Sequence, residues 1–130
     1  MSIRPQPPIA QLEECDEIEI TGESHYQDAL IKLFGAYSKD GVFEHCSANL
    51  VAEPSNKYDK NAVRCEIGGL LVGYVNKDEA EDIAAHLRRQ RQPSMVVNSN
   101  VKGGWNRSRS DQGPYGVTVE LHPTVLDPDA

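Results

Sequence analysis

Residues 61–75, NAVRCEIGGLLVGYV, constrain the fold more than any other stretch of the chain. Val63, Cys65 and Ile67 alternate with Arg64 and Glu66, the period-two pattern of a strand with one buried face. Gly68 and Gly69 follow, two adjacent positions that take positive φ without a Cβ clash, which is what a two-residue hairpin turn requires. LLVGYV resumes beyond them, so the chain commits here to an antiparallel pair.

The flanking sequence extends that pair into a larger β assembly. EIEIT alternates with Ile18 and Ile20 on one face, VFEHCSANLVAEP reads as a long strand stopped by Pro54, SMVVNSNV as a further strand, and YGVTVEL as a last one with Val117, Val119 and Leu121 inward. Two helices interrupt the strands. In SHYQDALIKLFGAY, Ser24 with Gln27 three positions on predicts a capping box, followed by Tyr26, Leu30, Leu33 and Phe34 at helical spacing and closed by Gly35. Asn76 with Glu79 predicts a second cap, and Ala80, Ile83, Ala84 and Leu87 form the apolar stripe of a helix running to about Arg91, ahead of Pro93. The resulting order, β-α-β-β-β-α-β-β, predicts a mainly β fold with two short helices, a small OB/SH3-like β-barrel. The proline-broken ends read as tails, giving a flexible segment 1–12, one domain over 13–122 and a second tail over 123–130.

With 130 residues, 38% apolar and 25% charged, the chain has the size and balance of one domain with one modest core. No apolar run approaches the roughly 20 residues of a membrane-spanning helix, and the N-terminus lacks the apolar stretch of a secretory signal, so a soluble cytoplasmic protein with no membrane partner is expected. Cys15, Cys46 and Cys65 are widely spaced and odd in number, which fits reduced thiols, with Cys46 and Cys65 as small apolar residues of buried strands. The formal net charge of −7 is unevenly distributed: residues 13–23 carry six acids and no base, residues 86–110 six bases and no acid. The acidic run reads as solvated surface, while the basic stretch leaves room for a polyanion on one side of an acidic molecule.

No catalytic constellation emerges. Ser24, His25 and Asp28 lack an oxyanion hole, the four histidines lack metal-ligand spacing, and no phosphate-binding or dinucleotide motif is present, so neither an enzyme, a cofactor, a metal nor a small-molecule substrate is expected. Glu53 and Asp59 form a lone carboxylate pair, which a metal-dependent nuclease would use but a turn with a salt bridge explains more simply.

The polar loop AEPSNKYDKNAV gathers Ser55, Asn56, Tyr58, Asp59 and Asn61 between two strands, GYVNK brings Tyr74 and Lys77 to a strand–helix junction, and KGGWNRSR supplies Trp105 among Lys102, Arg107 and Arg109. Aromatics mixed with amides and bases suit single-stranded nucleic acid, which needs flat faces for stacking and donors for phosphate. Tyr58 equally fits a packing residue anchored by its hydroxyl, and Trp105, beside two glycines, fits a flexible hairpin rather than the core.

GESHYQDAL, AEPSNKYDKNAV, LLVGYVNKDEAEDIAAHL and GPYGVTVEL, in that order, resemble the HIRAN domain over roughly Glu17 to His122. The resemblance implies an OB-like barrel with two helices that captures the 3′ end of single-stranded DNA, in DNA repair or replication-fork processing, with a helicase or repair protein supplied in trans as a possible partner. It assigns Asn56, Tyr58 and Asp59 to an end-binding loop and Lys77 to a phosphate contact. His25 stands where the helicase-borne members have tyrosine, Ser24 where they have arginine, Ser55 where they have asparagine, and Tyr74 where they have histidine. His25, Tyr26, Ser55, Tyr74, Trp105 and Arg107 complete the expected DNA-binding set. The alternative is a protein-interaction β-barrel that has lost DNA binding, a reading the net charge and Ser24 both favour.

Overall fold

The computed structural model describes residues 3–127. Its elements are β1 (Asp16–Thr21), α1 (Gln27–Phe34), β2 (Val42–Ala52), β3 (Val63–Ile67), β4 (Leu70–Val75), α2 (Lys77–Gln90), β5 (Ser94–Gly103), β6 (Trp105–Ser108), β7 (Asp111–Gly113) and β8 (Gly116–Leu121), with 3-10 turns at Glu23–His25 and Pro123–Leu126. Six strands close into an antiparallel barrel in the order β1-β4-β3-β2-β5-β8, with β8 pairing back onto β1. These are the six strands expected from the sequence, and the architecture is the small OB-like barrel with two helices.

The alternation that marks each strand also fills the barrel. Ile18 and Ile20 of β1, Cys46, Ala48 and Leu50 of β2, Val63, Cys65 and Ile67 of β3, and Val117, Val119 and Leu121 of β8 all belong to one buried cluster. Gly68 and Gly69 turn β3 into β4 at φ 58° and 84°. Closure depends on a third glycine. A Cβ on Gly73 of β4 would lie 2.5 Å from Ile20 Cγ2 and 2.6 Å from the Thr21 carbonyl oxygen, so the absence of a side chain lets β1 cross β4 at contact distance. The β3–β4 register shifts between Cys65 and Glu66, a bulge of the kind that sharpens curvature in small barrels.

Asn76 caps α2 as expected, its side-chain oxygen accepting from the Glu79 amide at 3.1 Å, and Ala80, Ile83, Ala84 and Leu87 are buried. The capping box expected at α1 is not formed. Ser24 lies exposed in the preceding 3-10 turn, and Tyr26, with no side-chain bond, occupies the cap position. Gln27 instead reaches across to the start of β8: its amide donates to the Tyr115 carbonyl at 2.9 Å and its oxygen accepts from the Tyr115 amide at 2.9 Å. A side-chain amide that satisfies both backbone groups of a buried residue outweighs a solvent-exposed cap.

The β6–β7 hairpin is additional to the expected strands. It is short and polar, and it is held by backbone bonds to Ser38: the Ser38 amide donates to Gly104 O at 2.9 Å and the Asn106 amide to Ser38 O at 2.9 Å. Both ends read as tails make specific contacts. Gln6 bridges Ser47 of β2, Asn98 donates to Ile9 O and accepts from Ile9 N, and Val125 is buried in the core cluster. Residues 1–2 and 128–130 lie outside the described residues. No described helix is long and apolar enough to cross a membrane.

Candidate nucleic-acid interface

The loop joining β2 to β3 is organised from within. The Ala62 amide donates to Asp59 O at 3.0 Å and the Glu53 amide to Ala62 O at 2.9 Å, which closes the base of the loop. Asn56 shapes its tip: its side-chain oxygen accepts from the amides of Tyr58 at 2.9 Å and Asp59 at 3.0 Å, while its Nδ2 donates to Glu53 Oε1 at 3.0 Å. Asp59 Oδ1 accepts from the Asn61 amide at 2.9 Å, the Asx turn expected of this residue type. Its second oxygen has no hydrogen-bond partner among the described residues. Tyr58 therefore projects from a constrained backbone, and its side chain is 88% exposed, with Lys57 Nζ 5.5 Å from the ring centre. The packing role left open by the sequence is excluded at that exposure.

Glu53 ties the loop to the barrel wall. Its Oε2 accepts from Tyr74 Oη at 3.2 Å and pairs with Arg64 at 3.3 Å, and Arg64 Nε also binds Glu66 Oε2 at 2.6 Å. Arg64, Tyr74 and Thr21 are register partners across β3, β4 and β1, so they form an outward row on one side of the loop. A depression of about 410 Å³ lies between the loop and Arg64, lined by Ala52, Glu53, Pro54, Ser55, Asn56 and Arg64. Burial raises the pKa of the Tyr74 phenol, and the neighbouring Glu53 carboxylate raises it further, so the hydroxyl keeps its proton. That proton is committed to Glu53, which leaves the Tyr74 oxygen as an acceptor.

The remaining expected residues fall into two groups. Tyr26 is half-buried close enough to Tyr74 to contribute to that shift, and His25 is exposed beside it with the rings 6.5 Å apart, edge to face. Lys77 is exposed at the first position of α2, and Ser55 is exposed in the loop. Trp105 and Arg107 lie apart from these on the β6–β7 hairpin, and among the described residues no hydrogen bond, ion pair or ring contact joins that hairpin to the loop. Trp105 donates from Nε1 to Asp111 at 3.1 Å and packs on Gly113, and Arg107 spans 3.5 Å to the same aspartate.

Sequence reasoning passed over Arg64 and Arg88, while Glu53, expected there in a turn with a salt bridge, takes that salt bridge. Arg64 and Glu53 are the hub of the loop, and Arg88 of α2 donates to Asn61 Oδ1 at 3.3 Å. The Gly68-Gly69 turn alone would set Arg64 opposite Gly73, and only the bulge between Cys65 and Glu66 moves it onto Tyr74, just as Arg88 reaches the loop only through the docking of α2. The Glu53–Asp59 carboxylate pair is not a metal cluster: Glu53 is engaged by three protein donors, and no group of three potential ligands forms among the described residues.

No family model matches the chain and no curated protein does. Among solved structures it is similar to the crystal structure of the HIRAN domain of human HLTF, with 15% identity and a TM-score of 0.40, covering 86% of this chain and 79% of that one. It is likewise similar to the NMR structure of the HLTF HIRAN domain, with 17% identity and a TM-score of 0.40, covering 85% of this chain and 80% of that one. Both are HIRAN domains, the family whose loop and strand motifs the sequence resembles.

Proposed function

We propose that the chain is a non-enzymatic binding module for single-stranded DNA that engages a free 3′ end through the loop between β2 and β3. The observation that carries this reading is Tyr58, a large aromatic ring 88% exposed on a loop whose backbone is already hydrogen-bonded. A preorganised, solvent-facing ring offers a stacking surface at little ordering cost. Lys57, Lys60 and Lys77 are exposed nearby in sequence or at the adjoining junction and form no ion pair among the described residues, so they remain available to phosphates. Asp59 gives the end preference. One carboxylate oxygen holds the Asn61 turn and the other is left to accept from a 3′ hydroxyl, whereas a 3′ phosphate or a continuing strand brings like charge against it. A role in repair or fork processing, with a helicase or repair protein in trans, follows from the family resemblance.

Anisotropy titrations with linear strands ending in 3′ hydroxyl or 3′ phosphate, and with a circular strand, test the proposal. Tighter binding of the 3′-hydroxyl strand is expected, with Asp59→Asn narrowing the difference. Two or three phosphate contacts give a log-log salt slope of about −1.5 to −2. Equal affinity for all three strands refutes end recognition, and no measurable binding refutes the nucleic-acid reading as a whole.

A further inference from the structure

The outer faces of β2, β5, β8 and β1 form a groove of about 480 Å³ whose lining includes Thr21 but no residue of the β2–β3 loop. Register defines its floor. His45, Asn100, Thr118 and Glu19 form one cross-strand row and Phe43 with Lys102 and Gly116 another, and Glu17 lines the groove beside them, whereas its register neighbours Glu120, Asn98 and Ser47 lie along the N-terminal segment, which contacts them through Gln11, Ile9 and Gln6. Phe43 is 65% exposed and meets His45 edge to face with ring centres 5.1 Å apart, so an aromatic pair marks one side. Gly116 contributes no side chain to its row, which opens the trough between Phe43 and the carboxylates of β1.

The opposite side carries an electrostatic conflict. Glu17 and Glu120 are direct cross-strand partners, an arrangement of like charges that destabilises a sheet. One amide bridges them, Asn100 Nδ2 donating to Glu17 Oε2 at 3.1 Å and to Glu120 Oε2 at 3.0 Å, while Gln11 Nε2 donates to the other Glu120 oxygen at 3.1 Å. The other atom of that amide, Asn100 Oδ1, is the buried side-chain acceptor without a donor among the described residues. Glu17, Glu19 and Glu23 line the groove, and none of these three carboxylates forms an ion pair among the described residues. Lys102, on the aromatic side, is the one lysine or arginine in the lining. A bare metal ion does not resolve the conflict, since no ligating group of three forms among the described residues.

From this we infer that the groove docks an extended basic segment of a partner protein, with an apolar side chain against Phe43 and lysine or arginine side chains between Glu17, Glu19 and Glu23. The charge favours a cationic occupant, and the exposed ring calls for an apolar anchor beside the charges. Dimensions agree: three inter-strand spacings from β2 to β1 are roughly 14 Å, the span of about four residues of extended chain, and residues two and four apart face the same way. Nucleic acid is excluded by the carboxylates, so this surface is distinct from the proposed DNA loop and its test does not depend on that reading.

The test uses the full chain, ¹⁵N-labelled, titrated with a synthetic peptide of about ten residues carrying one leucine with lysines two and four positions after it in a serine background. Amide shifts concentrated in 17–23, 43–45, 100–102 and 116–120 are expected, with affinity about fivefold weaker in Phe43→Ala and in the Glu17→Gln/Glu19→Gln pair. Phe43 is exposed, so its variant keeps the thermal midpoint. A peptide with glutamate for lysine should not bind. Shifts confined to 53–62, no shifts at all, or affinity unchanged in both variants overturns the inference. Binding undiminished when serine replaces the leucine overturns it in favour of a simple cation site, and concentration-dependent self-association without peptide overturns it in favour of a second copy of this chain.

Discussion

Replacing Tyr58 by alanine separates stacking from packing. The residue is 88% exposed, so of a tyrosine's ~200 Å² only about 25 Å² is covered, worth ~0.6 kcal/mol at 25 cal/mol per Å². The exposed contact with Lys57 at 5.5 Å from the ring adds at most about 0.5 to 1 kcal/mol. The backbone amide of Tyr58 stays bonded to Asn56 whatever the side chain. Stability should therefore fall by ~1.5 kcal/mol or less, a shift of a few degrees in the thermal midpoint. Loss of one base-stacking partner costs about 1 to 3 kcal/mol of binding, or ~5- to 150-fold in Kd. Fluorescence anisotropy on a 3′-hydroxyl oligonucleotide, paired with calorimetric melting of the same preparations, reads both numbers. Tyr58→Phe should restore the affinity because the ring survives. A wild-type Kd for Tyr58→Ala, or a collapsed melting transition in it, refutes the reasoning.

Gly73→Ala should be among the most damaging small substitutions, since its methyl must displace the Thr21 carbonyl from 2.6 Å; a loss of about 1 to 3 kcal/mol in urea unfolding is expected. Asn76→Ala removes the α2 cap at Glu79 and should cost about 1 kcal/mol, with Asn76→Asp largely restoring it, by the same measurement. Stability should also fall in alkali. Burial pushes the Cys65 thiol from 9.0 up to about 12, so between those values the unfolded chain releases a proton that the folded chain retains. The contribution is fully present below pH 9 and is lost as pH rises toward 12, with a limiting slope near 1.4 kcal/mol per pH unit. Denaturant midpoints for wild type and Cys65→Ala from pH 8 to 10.5 should diverge in slope with that sign, and parallel curves refute it.

What the chain determines locally was legible. The Gly68-Gly69 turn, the alternation that buries Val63, Cys65 and Ile67, and the Asn76 cap with its stripe to Leu87 depend on residues within a turn or two of one another. The loop 53–62 was legible as a polar, Asx-rich turn for the same reason. Tertiary structure decided the rest. Gln27 abandoned the local cap because Tyr115, 88 residues away, offered both a buried donor and a buried acceptor. The β6–β7 hairpin has no apolar alternation to announce it and exists through its bonds to Ser38. Trp105 and Arg107 were grouped with the loop by composition, yet Asp111 and Gly113 hold them on that separate hairpin. The acidic run read as plain solvated surface acquired a counterpart when β8 paired with β1, setting Glu120 opposite Glu17, and β5 brought Asn100 between them. Pattern reports which face a side chain takes, because the strand period is a property of the backbone. Which strand lies alongside, and in what register, is set by long-range pairing around a closed barrel, where every partner is chosen by the shape of the whole core.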